Sequence, residues 1–380
     1  MQKSTSPILT LDQAEPFRAP LLSVDRLGRQ GTLLAQALSW NTGPSRAELP
    51  LIPLIDTAEA ELSQCNRLLS EAILHKQPVS PAAEWLLDNH YLIQGQIMAV
   101  RADLPKGYGR ELPWNTGGQF AGYPRVWALA VHLLAHADAR LDESNLAAFI
   151  EGFQEVDPLS IGEVWAVPIM LRAALVENVR RLAGKVTEAH IVGRRADEYA
   201  DRLLTFSQED IDKLDIESHL LSIKDSARSL SFFVARLSQR LSGQDLIAET
   251  TEAWLRQQLS TLGMPLDELS LNLQHEQAAD QVSIANTITS IRFVEAKEWR
   301  VFFEQTSFVE QALREDPAGT YPRMDFASRD RYRHALEQLA KRSPLSEVIV
   351  AEATVSLCLE ALKEKPGGHV RGHVGSYLIG

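Results

Sequence analysis

Cysteine is almost absent. Cys65 and Cys358 are the two in 380 residues, and both sit in helical, largely apolar stretches. A pair so sparse makes no disulfide framework and predicts a reducing, cytoplasmic setting. Long hydrophobic runs are missing too. The N-terminus, MQKSTSPILTLDQAEPF, lacks the apolar core of a signal peptide. The most hydrophobic stretch, Ile161 to Val176, carries Glu163 and Arg172 and falls short of the about 20 apolar residues that span a bilayer. No transmembrane segment is expected. Positive charge is in deficit: 38 Lys and Arg against 50 Asp and Glu leave a net charge of −12. A nucleic-acid binder needs a basic face to neutralise phosphates, so that class is excluded. Finally, there is no G-x-x-x-x-G-K-[ST], no G-x-G-x-x-G after a strand and no G-x-S-x-G. Strand-type alternation and Asn-Gly or Asp-Gly hairpin signals are scarce.

What is present is helical periodicity, with 45% hydrophobic and 23% charged residues. The composition supports a folded core, and the length predicts two or three packed subdomains. The expected fold is all-α: a multi-helix array with one long helix and a structured loop rich in Gly and Pro. Residues 1–56 read as an irregular segment, because GPSRAELPLIPLIDT breaks any period. Residues 57–187 read as a helical subdomain. Its helices are expected at 57–74, from Pro81 to Leu104, over VWALAVHLLAHADARLD and over ESNLAAFIEGFQEV, with the loop at 104–125 between the second and third. Ser160-Ile161-Gly162-Glu163 reads as a capping box, and Pro168 is expected to kink the helix behind it. Residues 188–363 read as a second helical subdomain, with helices over 188–206, 216–241 and 246–262. Leu266 to Arg314 has no Gly or Pro. It predicts either one helix of roughly 70 Å or two with a small break. Asp325 or Ser328 should cap a helix ending near Ser343, and Ser346 another ending near Lys363. Residues 364–380 read as a flexible tail leading to a missing remainder.

Candidate chemistry is thin. His132 and His136 share one helix face, but Leu133 stands where a metalloprotease helix needs Glu, and no third ligand is evident. One of the two is expected to be partly buried and the other at the surface. His369 and His373 repeat the spacing in a Gly-rich setting with no rigid element. Asp210 and Asp212 form a D-x-D in a charged segment that reads as a solvated face. WNTGGQFAGYP offers backbone donors without the helix start of a phosphate loop. No catalytic, cofactor-binding or metal-binding residue is assigned.

The densest polar cluster is TYPRMDFASRDRYRHALEQLA, Thr320 to Ala340. As a helix it pairs Asp325 with Arg329 and Glu337 with Lys341, and turns Phe326, Tyr332, Leu336 and Leu339 inward. Arg323, Asp325, Arg329, Asp330, Tyr332 and Arg333 are the candidate residues. They read as a salt-bridged joint locking the 266–314 helix to the terminal pair, since guanidinium makes planar two-pronged bonds at packed joints. A ligand or partner surface is the alternative.

Several long stretches carry a resemblance: EWLLDNHYLIQGQI, LPKGYGRELP, AGYPRVWALAVHLLAHADARLD, LSIGEVWAVPIMLRAALVENVRRLA, WRVFFEQTSFVEQALREDPAGTYPRMDFASRDRYRHALEQLA and HVGSYLIG. From about Glu15 to the end, the chain resembles the N-terminal region of bacterial cyclic β-1,2-glucan synthases. The resemblance implies a cytoplasmic helical segment at the inner face of the inner membrane, ahead of membrane helices and a glucosyltransferase portion. UDP-glucose and a divalent metal are implied for that portion alone, and later parts are implied to cyclise and trim the glucan. The transferase acids and the Q-x-x-R-W motif are absent here, and Trp299-Arg300 is not that motif. No catalytic residue carries over. The expected role is a non-catalytic module whose partner is the remainder of the synthase. A contributor to glucosyl transfer through loop 104–125 and a stand-alone helical interaction module are the alternatives.

Overall fold

The computed structural model describes residues 14–41, 50–104, 112–205, 227–241, 266–364 and 370–379, with isolated residues 253, 256 and 257. The fold is all-α. Among the described residues the strands are two dipeptides, β1 (Trp40–Asn41) and β2 (Trp114–Asn115), paired antiparallel. The helices are α1 (Val24–Ala37), α2 (Leu51–Leu74), α3 (Pro81–Asp88), α4 (His90–Asp103), α5 (Arg125–His136), α6 (Glu143–Gln154), α7 (Ile161–Leu203), α8 (Ala227–Leu241), α9 (Leu266–Ala296), α10 (Trp299–Thr306), α11 (Phe308–Arg314), α12 (Phe326–Ala340), α13 (Glu347–Glu364) and α14 (Gly375–Leu378).

The organiser is α7, a 43-residue helix opened by the predicted capping box: Ser160 accepts from the Glu163 N–H, and Glu163 accepts from the Ser160 N–H. It is continuous through Pro168, and also through 187/188, where a subdomain boundary and a new helix were expected. Its first half packs in one large core with α1–α6, α9 and the C-terminal helices. Its last turns form a second, smaller core with α8, built on Val192, Ala196, Tyr199, Phe233, Val234 and Leu237.

Other boundaries moved for identifiable reasons. Residues 1–56 hold all of α1 and the first turn of α2. Two glycines lower the helix propensity of α1, yet Leu27, Gly31, Leu34 and Ala35 form its buried stripe. Pro53 falls in the first turn of α2, where a missing N–H costs nothing. The expected 81–104 helix breaks at Asn89, whose side chain donates to the Trp85 carbonyl and accepts from Arg292. The 266–314 segment divides into α9, of 31 residues, α10 and α11. Ser307 ends α10 and caps α11. The helix expected from 216 begins, within the described residues, at Ala227; of the one at 246–262 only residues 253, 256 and 257 are described, each helical, and Asp210, Asp212 and His369 lie outside the described residues.

The tail is a second correction. Val370 to Ile379 folds back on the body, and Val374 is fully buried. Gly372 and Gly375 are spacers. A Cβ at Gly375 would lie 2.7 Å from the Tyr332 hydroxyl and from the His373 ring, so the small residue permits contact rather than freedom.

The tightest helix crossing joins α1 to α6. A Cβ on Gly31 would sit 2.2 Å from the Phe149 carbonyl oxygen, and one on Gly152 would sit 2.0 Å from that of Gly28. Backbone cannot yield there, so Gly31→Ala should cost about 1–3 kcal/mol. Gly95, inside α4, has open space around it. Gly95→Ala should gain up to about 1 kcal/mol. Thermal unfolding of the two variants by circular dichroism is expected to shift in opposite directions. A Gly31→Ala variant as stable as the parent would contradict the crossing.

Candidate functional site

Charged side chains of the 320–340 segment enter a buried ion-pair network whose centre lies outside that segment. α11 presents Glu310, which is fully buried. One carboxylate oxygen accepts from the Tyr321 hydroxyl and from Arg333 Nη1, each at 2.7 Å. The other accepts from Arg314 Nε at 2.9 Å and lies 3.5 Å from Arg329 Nε. Arg329 also pairs with Glu304 of α10, and Arg314 reaches Glu304 at 2.8 Å. The Arg333 guanidinium lies 4.9 Å and 4.8 Å from the ring centres of Phe303 and Phe326. Its Nη2 meets Asp330 at 2.9 Å, and its buried Nε has no hydrogen-bond partner. Phe303 in turn stacks on Trp165 of α7, centroids 4.6 Å apart.

Of the six candidate residues, Arg329, Asp330 and Arg333 enter this network. Asp325 does not pair with Arg329. It caps α12, accepting from the Ser328 N–H and hydroxyl at 2.9 Å, so Arg329 turns to the buried acids. Arg323 is exposed and donates to the Gly319 carbonyl. Tyr332 belongs to a neighbouring link: His373 lies 3.1 Å from its hydroxyl and 2.9 Å from Asp316. Burial alone would raise the Asp316 carboxyl. Donation from the Tyr321 N–H, His373, and the Val374 and Thr320 N–H groups outweighs it and holds the pKa below the ordinary value. The expected inward stripe is also corrected. Phe326 is half-buried and Leu339 is exposed, while Arg333, Leu336 and Ala340 point in. Glu337 and Lys341 do pair, at 2.9 Å.

Sequence reasoning missed Glu304, Glu310, Arg314 and Asp316. A signal for Glu310 exists. Ser307-Phe308-Val309-Glu310 is an S-x-x-E helix start like Ser160 to Glu163, and both glutamates are buried beneath an arginine. At α7 that arginine is Arg125, which gives Glu163 two bonds of 2.7 Å, also pairs with Asp157, and lies 4.3 Å over Trp40. Arg125 closes the Gly/Pro-rich loop. Within the described part of that loop, residues 112–125, Arg125 is the charged side chain, and these acids hold it.

The histidine pair is buried on both members, at 0% and 6% exposure, against the expectation of one at the surface. Burial, aided by His136, lowers the His132 pKa to about 3. His136 meets the Pro20 carbonyl at 3.0 Å. The described residues contain no group of three His, Cys, Asp or Glu placed to hold a metal, and no helix among them is long and apolar enough to cross a membrane. Both cysteines are free and buried.

No family model matches the chain. A comparison with curated proteins decides the relationship. Over 97% of its length the chain is 31% identical to the cyclic beta-(1,2)-glucan synthase NdvB of Rhizobium meliloti (strain 1021). The chain is related to the cyclic β-1,2-glucan synthases. It spans 13% of the length of that synthase.

Breaking a buried ion pair from one side leaves a stranded charge and costs about 3–5 kcal/mol. Arg333→Ala takes one of three cations from Glu310 and empties the space between Phe303 and Phe326, so it should lower the urea midpoint clearly. Arg331→Ala, on the exposed face of the same helix, should change stability by less than about 0.5 kcal/mol. Equal midpoints for the two variants would show that the joint is not structural.

Glu347 supplies a pH test. Its carboxylate accepts from the Ile161 N–H at 2.6 Å, tying α13 to the start of α7. Burial, opposed by that N–H, with Glu337 and Glu163 nearby, raises its pKa to about 7. A carboxyl raised in the fold binds its proton more tightly folded than unfolded. Its contribution is therefore full below the unfolded value of 4.5 and is lost as pH climbs to about 7. Glu347→Gln should remove that slope and stabilise the protein at pH 8 relative to the parent by about 3 kcal/mol. Melting curves at pH 5 and pH 8 check this, and parallel shifts in both proteins would refute it.

Proposed function

We propose that this chain is the helical N-terminal module of a cyclic β-1,2-glucan synthase. In this reading it is non-catalytic, and it scaffolds or orients a UDP-glucose-dependent glucosyltransferase portion at the cytoplasmic face of the inner membrane. The observation that carries the reading is the extent of the match: 97% of this chain aligns to a synthase of which it accounts for 13%. Two features support a scaffold. The 380 residues carry no transferase signature. The most concentrated charges are spent on internal pairs, Arg125 with Glu163 and Arg333 with Glu310, which favours a rigid body over a reaction centre. UDP-glucose and its metal belong, in this reading, to the transferase portion, and the remainder of the synthase is the partner.

Two measurements test the proposal together. The purified chain, incubated with labelled UDP-glucose and a divalent metal, is expected to transfer no glucose and release no UDP. NdvB lacking its matching region is expected to accumulate but to lose cyclic glucan synthesis, and to regain it when this chain is fused in its place. Turnover by the purified chain would favour a direct contribution through loop 104–125. Undiminished glucan output from the deleted synthase would overturn the scaffold.

A further inference from the structure

An open cleft of about 910 Å³ lies between the second half of α7, α8 and the first half of α9, and is lined as well by residues 77–83. That volume lies within the range of ligand pockets, about 300–1,000 Å³. Its chemistry is unlike that of the buried joints. The α9 wall carries Ser270, Gln274, Gln277 and Gln281, spaced so that one helix face presents them all, and the three glutamines are exposed. Gln239 of α8 lines the cleft as well.

The charges around these amides balance and are paired, with one guanidinium nitrogen, Arg228 Nη1, left without a hydrogen-bond partner. Arg236 grips Asp197 with two bonds of 2.9 Å, and Arg228 meets Asp280 at 2.8 Å. Lys185 meets Glu15 at 2.6 Å. No uncompensated positive field remains of the kind that draws a phosphate. Beside them, the half-buried ring of Phe232 lies against α7, where Gly193 makes room for it: a Cβ there would approach the ring edge to 3.3 Å.

A hydroxyl group donates and accepts at once, and so does a primary amide. A row of amides, immobilised Arg–Asp pairs and an apolar ring therefore match a chain of neutral hydroxyls with apolar C–H faces. A phosphorylated ligand or an apolar helix fits them less well. We infer that the cleft between α7, α8 and α9 is a binding site for a neutral oligosaccharide. If the chain is a module of a glucan synthase, as proposed above, the ligand class is a segment of linear β-1,2-linked glucan. The assignment of that linkage rests on that reading.

Calorimetry on the full 380-residue chain tests it, with a linear β-1,2-linked glucose pentamer as the probe and UDP-glucose and an α-1,4-linked glucose pentamer as comparisons. The β-1,2 pentamer is expected to bind. Gln277→Ala with Gln281→Ala, exposed positions whose loss leaves the fold intact, should weaken it about tenfold or more, because two hydrogen-bonding groups are removed. Asn272→Ala, at an exposed α9 position outside the cleft lining, should leave binding unchanged. No heat from either pentamer, binding of UDP-glucose alone, or pentamer binding indifferent to the double variant would each overturn the site. Binding of both pentamers alike would keep the oligosaccharide site and remove the linkage assignment. Failure here with rescue of NdvB by the fused chain would overturn the cleft while leaving the scaffold standing.

Discussion

Two arginines, Arg125 and Arg333, are almost wholly removed from water. A guanidinium cannot shed its charge, so each must meet an anion inside the protein or the fold is lost. Both meet a glutamate at the third position of a helix opened by serine, Glu163 of α7 and Glu310 of α11. That position is favourable because the carboxylate lies near the free N–H groups and the positive end of the helix dipole. Aromatic faces complete each shell: Trp40 and Phe153 around Arg125, Phe303 and Phe326 around Arg333. The desolvation cost is offset where the guanidinium nitrogens meet carboxylates, as Nη1 and Nη2 of Arg333 do, while its buried Nε has no hydrogen-bond partner and faces the aromatic rings alone.

The two pairs are mechanically linked through the first turns of α7. Trp165, two residues after Glu163, stacks on Phe303, which in turn faces Arg333. Glu347 binds the N–H of Ile161, so α13 is tied to the same turn. From Glu310 the path continues through Tyr321 to the turn that holds Asp316, and from Asp316 through His373 to Tyr332. This sequence of contacts is why the last ten described residues lie folded on the body. It also ties the start of a 43-residue helix to the C-terminal helices.

The all-α class was legible because the 3.6-residue period dominates the chain and strand alternation is scarce. The α7 capping box and the Asp325 and Ser346 caps were legible because their signals are local. Boundaries failed where tertiary contacts overrode local preference. α1 tolerates Gly28 and Gly31 because α6 needs their lack of a side chain, and α7 runs through 187/188 because its second half finds α8. The tail was misread for a related reason: Gly372 and Gly375 look like freedom in a sequence and act as clearance in the fold. The ion-pair network was half legible. Arg329, Asp330 and Arg333 stood out by their density, but their main acids, Glu304 and Glu310, lie about twenty residues upstream in the chain, and pairing across that distance leaves no mark on local spacing.

The central claim is that charge pairing at helix starts, rather than apolar packing alone, decides whether the body holds together. A double-mutant cycle on Arg125 and Glu163 tests it most directly. Arg125→Met and Glu163→Met should each destabilise by about 3–5 kcal/mol, because each strands the opposite charge. The account requires the double variant to be more stable than either single variant, since neither Arg125 nor Glu163 is then left buried opposite a missing partner; Asp157, the other acid on Arg125, is partly exposed and keeps the Trp40 N–H. If the two losses simply add in chemical denaturation, the pair is not coupled and the account is wrong.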